Sequence, residues 1–201
     1  MLNFKTMNKK FPVYKIQISE KDNIPSGVNY IALVDDPAIE MNWIAFDKQQ
    51  KFSTDKERRL IMGAFLVANL PIYRRDDERG EHYVVFDKDT VYKIVQKFFR
   101  NGFVSNFNIM HDEEKKVSGV YLIESFIVDD TRGVSAPKAF EGISQGSWLG
   151  TVKVDNDELW NGFLKTGELK AFSVEGMFAM GSMIKTDKEI LKEIIEIVKG
   201  E

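Results

Sequence analysis

Strand-like segments follow one another along most of this 201-residue chain, and this succession limits the fold more than any other property of the sequence. Polar and apolar residues alternate at 11–18 and 103–110, and longer apolar runs occur at 117–128 and in LKAFSVEGMFAM, as is typical of β-strands. Strands that no helix separates tend to pair antiparallel. The sequence therefore predicts an α+β fold, with a mainly antiparallel, β-barrel-like sheet flanked by helices.

Three segments predict the helices. Asp87 or Asp89 caps the first one, whose apolar residues recur at helical spacing until Gly102 ends it. A capping pattern beginning at Asp155 predicts a short second helix, and another beginning at Thr186 predicts an amphipathic helix at the C-terminus. These helices are expected to lie on the sheet.

The chain divides into three parts by composition. Residues 1–59 combine short strands with a polar connection at 47–59, residues 60–184 form the core, and residues 185–201 form the C-terminal helix. The length suits one compact domain that contains all three parts.

Composition excludes several classes of function. Lys and Arg total 28 against 31 Asp and Glu, and a net charge of −3 gives no broad basic surface for nucleic acid. No apolar run reaches the roughly 18 residues of a membrane span, and no glycine-rich phosphate loop is present. The absence of cysteine removes thiolate nucleophiles and Cys-ligated zinc. We expect no cofactor, no metal, no nucleic acid and no membrane.

Only two histidines, His82 and His111, are available for acid–base chemistry. His111 ends a strand beside a charged turn, and strand parity places it with Phe107 and Ile109 on the apolar side. Such a position suits either a packed histidine or a general base. His82 follows a charged hairpin tip and is interpreted as a surface strand residue.

Ser173 is the serine that best suits a nucleophile. It lies in the apolar strand KAFSVEGMF, where Gly176 would leave room for a substrate carbonyl. A serine nucleophile needs a base, and the base needs an orienting group. Glu124 is the first candidate for the orienting carboxylate, and the alternatives are Glu175 and Asp112. The weaker serine candidates are Ser135, Ser144 and Ser147.

Taken in order, these segments resemble the XkdF-like phage serine proteases, which belong with the prohead proteases and the herpesvirus assemblins. The resemblance covers roughly residues 10–180 and rests on MGAFLVANLPIYRRD, YVVF with its helix, the strand that ends at His111, VYLIESFIVD, and LKAFSVEGMF. It implies that His111 is the base and Ser173 the nucleophile. Assemblins use a second histidine, but no histidine follows Ser173 in this chain.

The resemblance also implies a function and a setting. The expected activity is that of a serine endopeptidase of capsid maturation, active inside the viral procapsid in the host cytoplasm. Its expected substrates are the phage scaffold, the major capsid protein and the protease itself, and it is expected to form a homodimer. The alternative is a non-enzymatic head assembly or scaffolding component that keeps the protease fold.

Overall fold

The computed structural model describes residues 11–21, 24–35 and 51–183. Its strands are β1 (Val13–Gln17), β2 (Gly27–Val34), β3 (Ser53–Asp55), β4 (Leu60–Leu66), β5 (Ile72–Asp76), β6 (Gly80–Val85), β7 (Phe107–Ile109), β8 (Asp112–Lys116), β9 (Val120–Ile127), β10 (Trp148–Val154), β11 (Ala171–Met177) and β12 (Ala179–Met183). Helix α1 covers Lys88–Arg100, and α2 covers Asp157–Leu159 and continues as a π-helical turn over Trp160–Leu164.

The described strands form three four-stranded sheets. Sheet I has the order β12-β1-β6-β5, sheet II has β3-β4-β10-β9, and sheet III has β11-β2-β7-β8. Strand pairing is antiparallel except between β1 and β6 and between β2 and β7. The α+β class and the mainly antiparallel pairing are thus confirmed, but the described strands do not join into the single barrel-like sheet that was predicted.

All three sheets and α1 contribute to one core cluster. Its centre is aromatic: the Phe65 ring lies 4.8 Å from Trp148 and 4.7 Å from Phe172, and Phe98 of α1 lies 5.1 Å from Trp148. Gly63 lets sheet III approach sheet II, since a Cβ there would stand 2.7 Å from the Phe172 ring. Each aromatic pair adds about 0.5–1.5 kcal/mol beyond its buried area. The strand that carries Ser173 is therefore anchored to the core through Phe172.

Helix α1 begins and ends as its sequence predicts. The Asp87 carboxylate caps it by accepting a hydrogen bond from Thr90 N at 2.8 Å, and Gly102 follows the helix with φ 72°. The second helix has a different cap from the predicted one: Asn156, not Asp155, accepts the hydrogen bond from Leu159 N. The predicted C-terminal helix lies outside the described residues.

The polar segment at 47–59 is only partly a connection. Residues 47–50 lie outside the described residues, but Ser53–Asp55 forms β3, which pairs with the first residues of β4. The polar composition of residues 51–59 therefore gave no indication of the β3–β4 hairpin, in which β3 pairs with the backbone of β4. In the described ranges no helix is long and apolar enough to cross a membrane.

Candidate functional site

Ser173 lies in the middle of β11, at the edge of sheet III. It pairs with Ala32 of β2, which in turn pairs with Asn108 of β7, so the three residues form one row across the sheet. Adjacent strands are about 4.8 Å apart, so the Cα atoms of Ser173 and Asn108 are separated by roughly 10 Å. Glu175 follows Ser173 by two positions and shares its face of the strand.

His111 reaches this face from the tight turn between β7 and β8. Met110 and His111 have φ values of 55° and 58°, and they form the two-residue loop of the hairpin. Positive φ at both positions is the geometry of a type I′ turn, which normally selects Asn and Gly. Bulky L-residues there are strained, and strain of this kind concentrates at functional sites.

The turn also explains why strand parity misplaced His111. The strand ends at Ile109, and the two left-handed residues break the alternation of the pleat. The imidazole therefore lies on the face of Asn108 and Glu175, not on the face of Phe107 and Ile109 as predicted.

A carboxylate lies beside the imidazole on this face. His111 Nδ1 lies 3.7 Å from Glu175 Oε2, and Asn108 Nδ2 donates a hydrogen bond to the same oxygen at 2.7 Å. Asn108 is buried and Glu175 is only 24% exposed, so this carboxylate is held between an amide and a ring. An imidazole placed in this way turns its Nε2 away from the carboxylate, as a general base requires.

Sequence reasoning missed Asn108. Its signal was a polar residue inside the short apolar strand FNI, where a buried amide needs a specific partner. That partner is Glu175, while the other amide atom, Oδ1, is buried and accepts no hydrogen bond from the described residues.

The hydroxyl of Ser173 has no hydrogen bond within the described part of the chain. In particular, no hydrogen bond links it to His111. The two residues share a face of sheet III, and the contact that a Ser–His pair requires is not made in this structure.

The other two candidate carboxylates lie elsewhere. Glu124 is exposed on β9 in sheet II, and no contact with His111 is found among the described residues. On β9, Glu124 pairs with Thr151 and Leu122 pairs with Val152, so Ile123 between them forms a β-bulge. The bulge interrupts the alternation of side chains between the two faces of the strand, and the choice of Glu124 depended on that alternation. The Asp112 carboxylate binds Lys115 of the same strand, β8, at 2.9 Å, which holds the pKa of that carboxyl below its usual range.

Gly176 has a structural role in place of the predicted one. A Cβ at Gly176 would stand 2.0 Å from the carbonyl oxygen of Gly27, so the space beside it is filled by β2 and not open to a substrate. Among the weaker serine candidates, Ser147 is fully buried and its Oγ accepts a hydrogen bond from Ala68 N. Ser135 donates to Asp130 on the surface.

His82 is fully buried, which corrects its interpretation as a surface residue. Its Nδ1 lies 2.9 Å from the Gly80 carbonyl, and the ring packs edge-on against Tyr14. The neighbouring strand β1 covers β6 on that side, which a sequence pattern around the hairpin alone could not reveal.

Comparisons with protein-family models, with curated proteins and with solved structures found no match. Across residues 11–21, 24–35 and 51–183, no three His, Cys, Asp or Glu side chains converge as a metal site would require. The site must therefore be interpreted from its own chemistry.

Proposed function

We propose that this protein is a serine endopeptidase in which Ser173 is the nucleophile, His111 the general base and Glu175 the carboxylate that orients it. One observation carries the proposal: the Glu175 carboxylate lies 3.7 Å from His111 Nδ1 and two positions along the strand from Ser173, on the same face. A hydroxyl, an imidazole and a carboxylate are the three groups that acyl transfer by serine needs.

The proposed reaction follows from these groups. His111 Nε2 takes the proton of Ser173 Oγ as that oxygen bonds to the carbonyl carbon of the peptide. The proton then passes to the leaving amine as the C–N bond breaks, and the acyl group stays on Ser173. Water, deprotonated by the same imidazole, releases the acid and restores the hydroxyl. Glu175 stabilises the imidazolium that forms in both steps.

The proposal requires His111 and Ser173 to come together when substrate binds. Catalytic hydrogen bonds are often long in ligand-free structures and tighten in the complex. His111 is 36% exposed in a two-residue turn, so its side chain is only partly packed against other residues.

We place this activity in phage capsid maturation. The resemblance of the chain to prohead proteases supports the placement, and the proposed fold in finer detail is that of the assemblins. The proposed substrates are scaffold and major capsid protein inside the procapsid, with self-cleavage and a homodimer as further parts of the proposal.

A second function is favoured by the missing hydrogen bond between Ser173 and His111. A head assembly component could keep this fold without catalysis, and its serine and histidine would then have no reason to meet. This alternative predicts a protein that binds capsid or scaffold chains and leaves them intact.

Labelling with a fluorophosphonate distinguishes directly between a serine endopeptidase and a non-enzymatic assembly component. The reagent phosphonylates only an activated serine, and mass spectrometry locates the adduct. We expect the adduct on Ser173, and we expect Ser173→Ala to remove it together with processing of co-expressed scaffold or capsid protein. Ser53→Ala, an exposed serine on β3, is the matched control and should label like the wild type.

Two results would contradict the proposal. One is undiminished processing by folded Ser173→Ala protein. The other is the absence of any adduct in a wild-type protein that also leaves co-expressed substrates uncut, and this second result would favour the assembly component.

A further inference from the structure

A cavity of about 290 Å³ lies against the strand that carries Ser173. Residues 172–174 of β11 form one wall, and residues 64–67 at the end of β4 form another. The remaining lining is mainly apolar and includes Ile72, Val84, Phe86, Phe178 and Met180. A site of this size and character suits a large apolar group.

The cavity borders the edges of both strands. Successive side chains of a strand point to opposite faces, so a cavity on one face would meet only alternate residues. Here consecutive residues of both strands line it. Among the described residues, β11 pairs with β2 alone at 172–174, and β4 pairs with β10 alone at 64–66. Within the described residues, the other edge of each of these stretches thus carries no paired strand.

The chain itself shows that the start of β11 accepts a neighbouring strand. Lys51 forms an antiparallel bridge to Ala171, and Phe52 N donates to the Lys170 carbonyl at 2.7 Å. The same segment then pairs antiparallel with β4 as β3. The stretches of β4 and β11 that line the cavity begin where the pairing with residues 51–55 ends.

We infer that an extended peptide binds along the edge of β11 at Ser173 and places a large apolar side chain, such as Leu, Met or Phe, in this cavity. The inference deepens the proposed function, on which it rests for the identity of the peptide as substrate. Backbone hydrogen bonds to a strand edge supply affinity, and pockets for alternate side chains supply specificity.

The pleat determines which substrate residue is apolar. Ser173 points to the face of Glu175 and His111, whereas Phe172 and Val174 point to the opposite face, toward the core and the cavity. A peptide residue opposite Ser173 would share the face of the hydroxyl. The apolar residue is therefore the immediate neighbour of the one whose carbonyl is attacked.

The apolar lining of the cavity disfavours a basic residue. The charged residues Arg74, Arg75 and Asp76 also border the cavity. The Asp76 carboxylate already faces Arg79 and His82, each at 3.8 Å. A Lys ammonium would lose its hydration in the apolar part of the cavity, so a peptide with Lys in place of the apolar residue should bind poorly.

Binding can be measured separately from cleavage with full-length Ser173→Ala protein. Fluorescein-labelled decapeptides with Leu, Ala or Lys at alternate positions are titrated by anisotropy. We expect the Leu peptide to bind about 10- to 100-fold more tightly than the Ala peptide, from the burial of one aliphatic side chain. The Lys peptide should bind most weakly.

Filling the cavity tests its location. Val174→Phe in the Ser173→Ala background should weaken binding of the Leu peptide at least about fivefold, since the added ring occupies space that the peptide needs. Ile123→Phe, on exposed β9, is the matched control and should change nothing. Ile72→Phe fills the cavity from the opposite wall if Val174→Phe does not fold.

The outcomes separate this inference from the proposed function. Tight binding of the Leu peptide by Ser173→Ala protein, with no cleavage by the wild type, supports the cavity and contradicts the protease. Cleavage of Leu and Ala peptides at equal rates supports the protease and overturns the cavity. Equal affinity for the Leu and Lys peptides also overturns it.

Discussion

Replacement of Met110 and His111 by Asn and Gly is expected to stabilise the protein while it removes the proposed general base. Both residues have positive φ in the loop between β7 and β8. A left-handed conformation costs an ordinary L-residue roughly 1–2 kcal/mol, and Asn-Gly is the pair that a type I′ turn prefers. The wild-type turn therefore stores strain that the variant releases.

The losses in the variant are smaller than this gain. The contact between His111 and Glu175 joins partly exposed groups, and such pairs contribute about 0–1 kcal/mol. Glycine adds roughly 0.5–1 kcal/mol of unfolded-state entropy. The net gain in the free energy of unfolding is then about 1–2 kcal/mol, or roughly 2–8 °C in the melting temperature of a domain this size.

Urea denaturation followed by circular dichroism measures this change. Glu114→Gly, an exposed position on β8 of the same hairpin, is the control and should lower stability, because glycine in a strand carries only the entropic cost. If the variant is no more stable than the wild type while Glu114→Gly behaves as expected, no strain is stored in this loop.

Three further predictions concern single residues. Glu175→Gln should lower any cleavage or fluorophosphonate labelling rate by at least about 100-fold, whereas Glu124→Gln should not change it; equal effects would remove Glu175 from the site. Gly176→Ala should lower the free energy of unfolding by about 2 kcal/mol or more, because its Cβ would meet a backbone carbonyl at 2.0 Å. In the same urea titration Gly162→Ala, in a helical turn with open space around it, should raise the free energy of unfolding by about 0.5–1 kcal/mol. Burial opposes the charge of Asp87, but hydrogen bonds from a first-turn threonine and a lysine outweigh it and hold its pKa below the usual range. The stability that this charge contributes is complete above the unfolded pKa of about 4 and is lost as the pH falls through the lower native pKa. The difference in stability between Asp87→Asn and the wild type should therefore be largest near pH 7 and shrink as the pH falls through that native pKa.

Local sequence patterns correctly predicted the helix and the strands whose formation depends on interactions between neighbouring residues. Helix α1 begins at the predicted cap because Asp87 and Thr90 are three positions apart, and its apolar stripe packs into the core. The strands around Trp148 and Ser173 also lie where the sequence predicts them. In each case the pattern that predicts the element spans only one helical turn or a few alternating strand residues.

Predictions of which sheet face a side chain occupies were wrong where they assumed regular alternation along several strand residues. The bulge at Ile123 shifted the face of Glu124, and the left-handed turn moved His111 to the opposite face from Ile109. Burial of His82 required strand β1, which lies far away in the chain. Parity arguments hold only while a strand stays regular, and a bulge or turn leaves little trace in the sequence.

The residue types alone specify the chemical groups of this protein: no thiol, only two imidazoles, and a serine at position 173 in an apolar strand. The folded chain was needed to show which of several carboxylates faces His111 and which strands border the cavity beside Ser173. Cross-strand register and backbone φ bring together residues that are remote along the chain, and neither quantity is encoded by residue type at a single position.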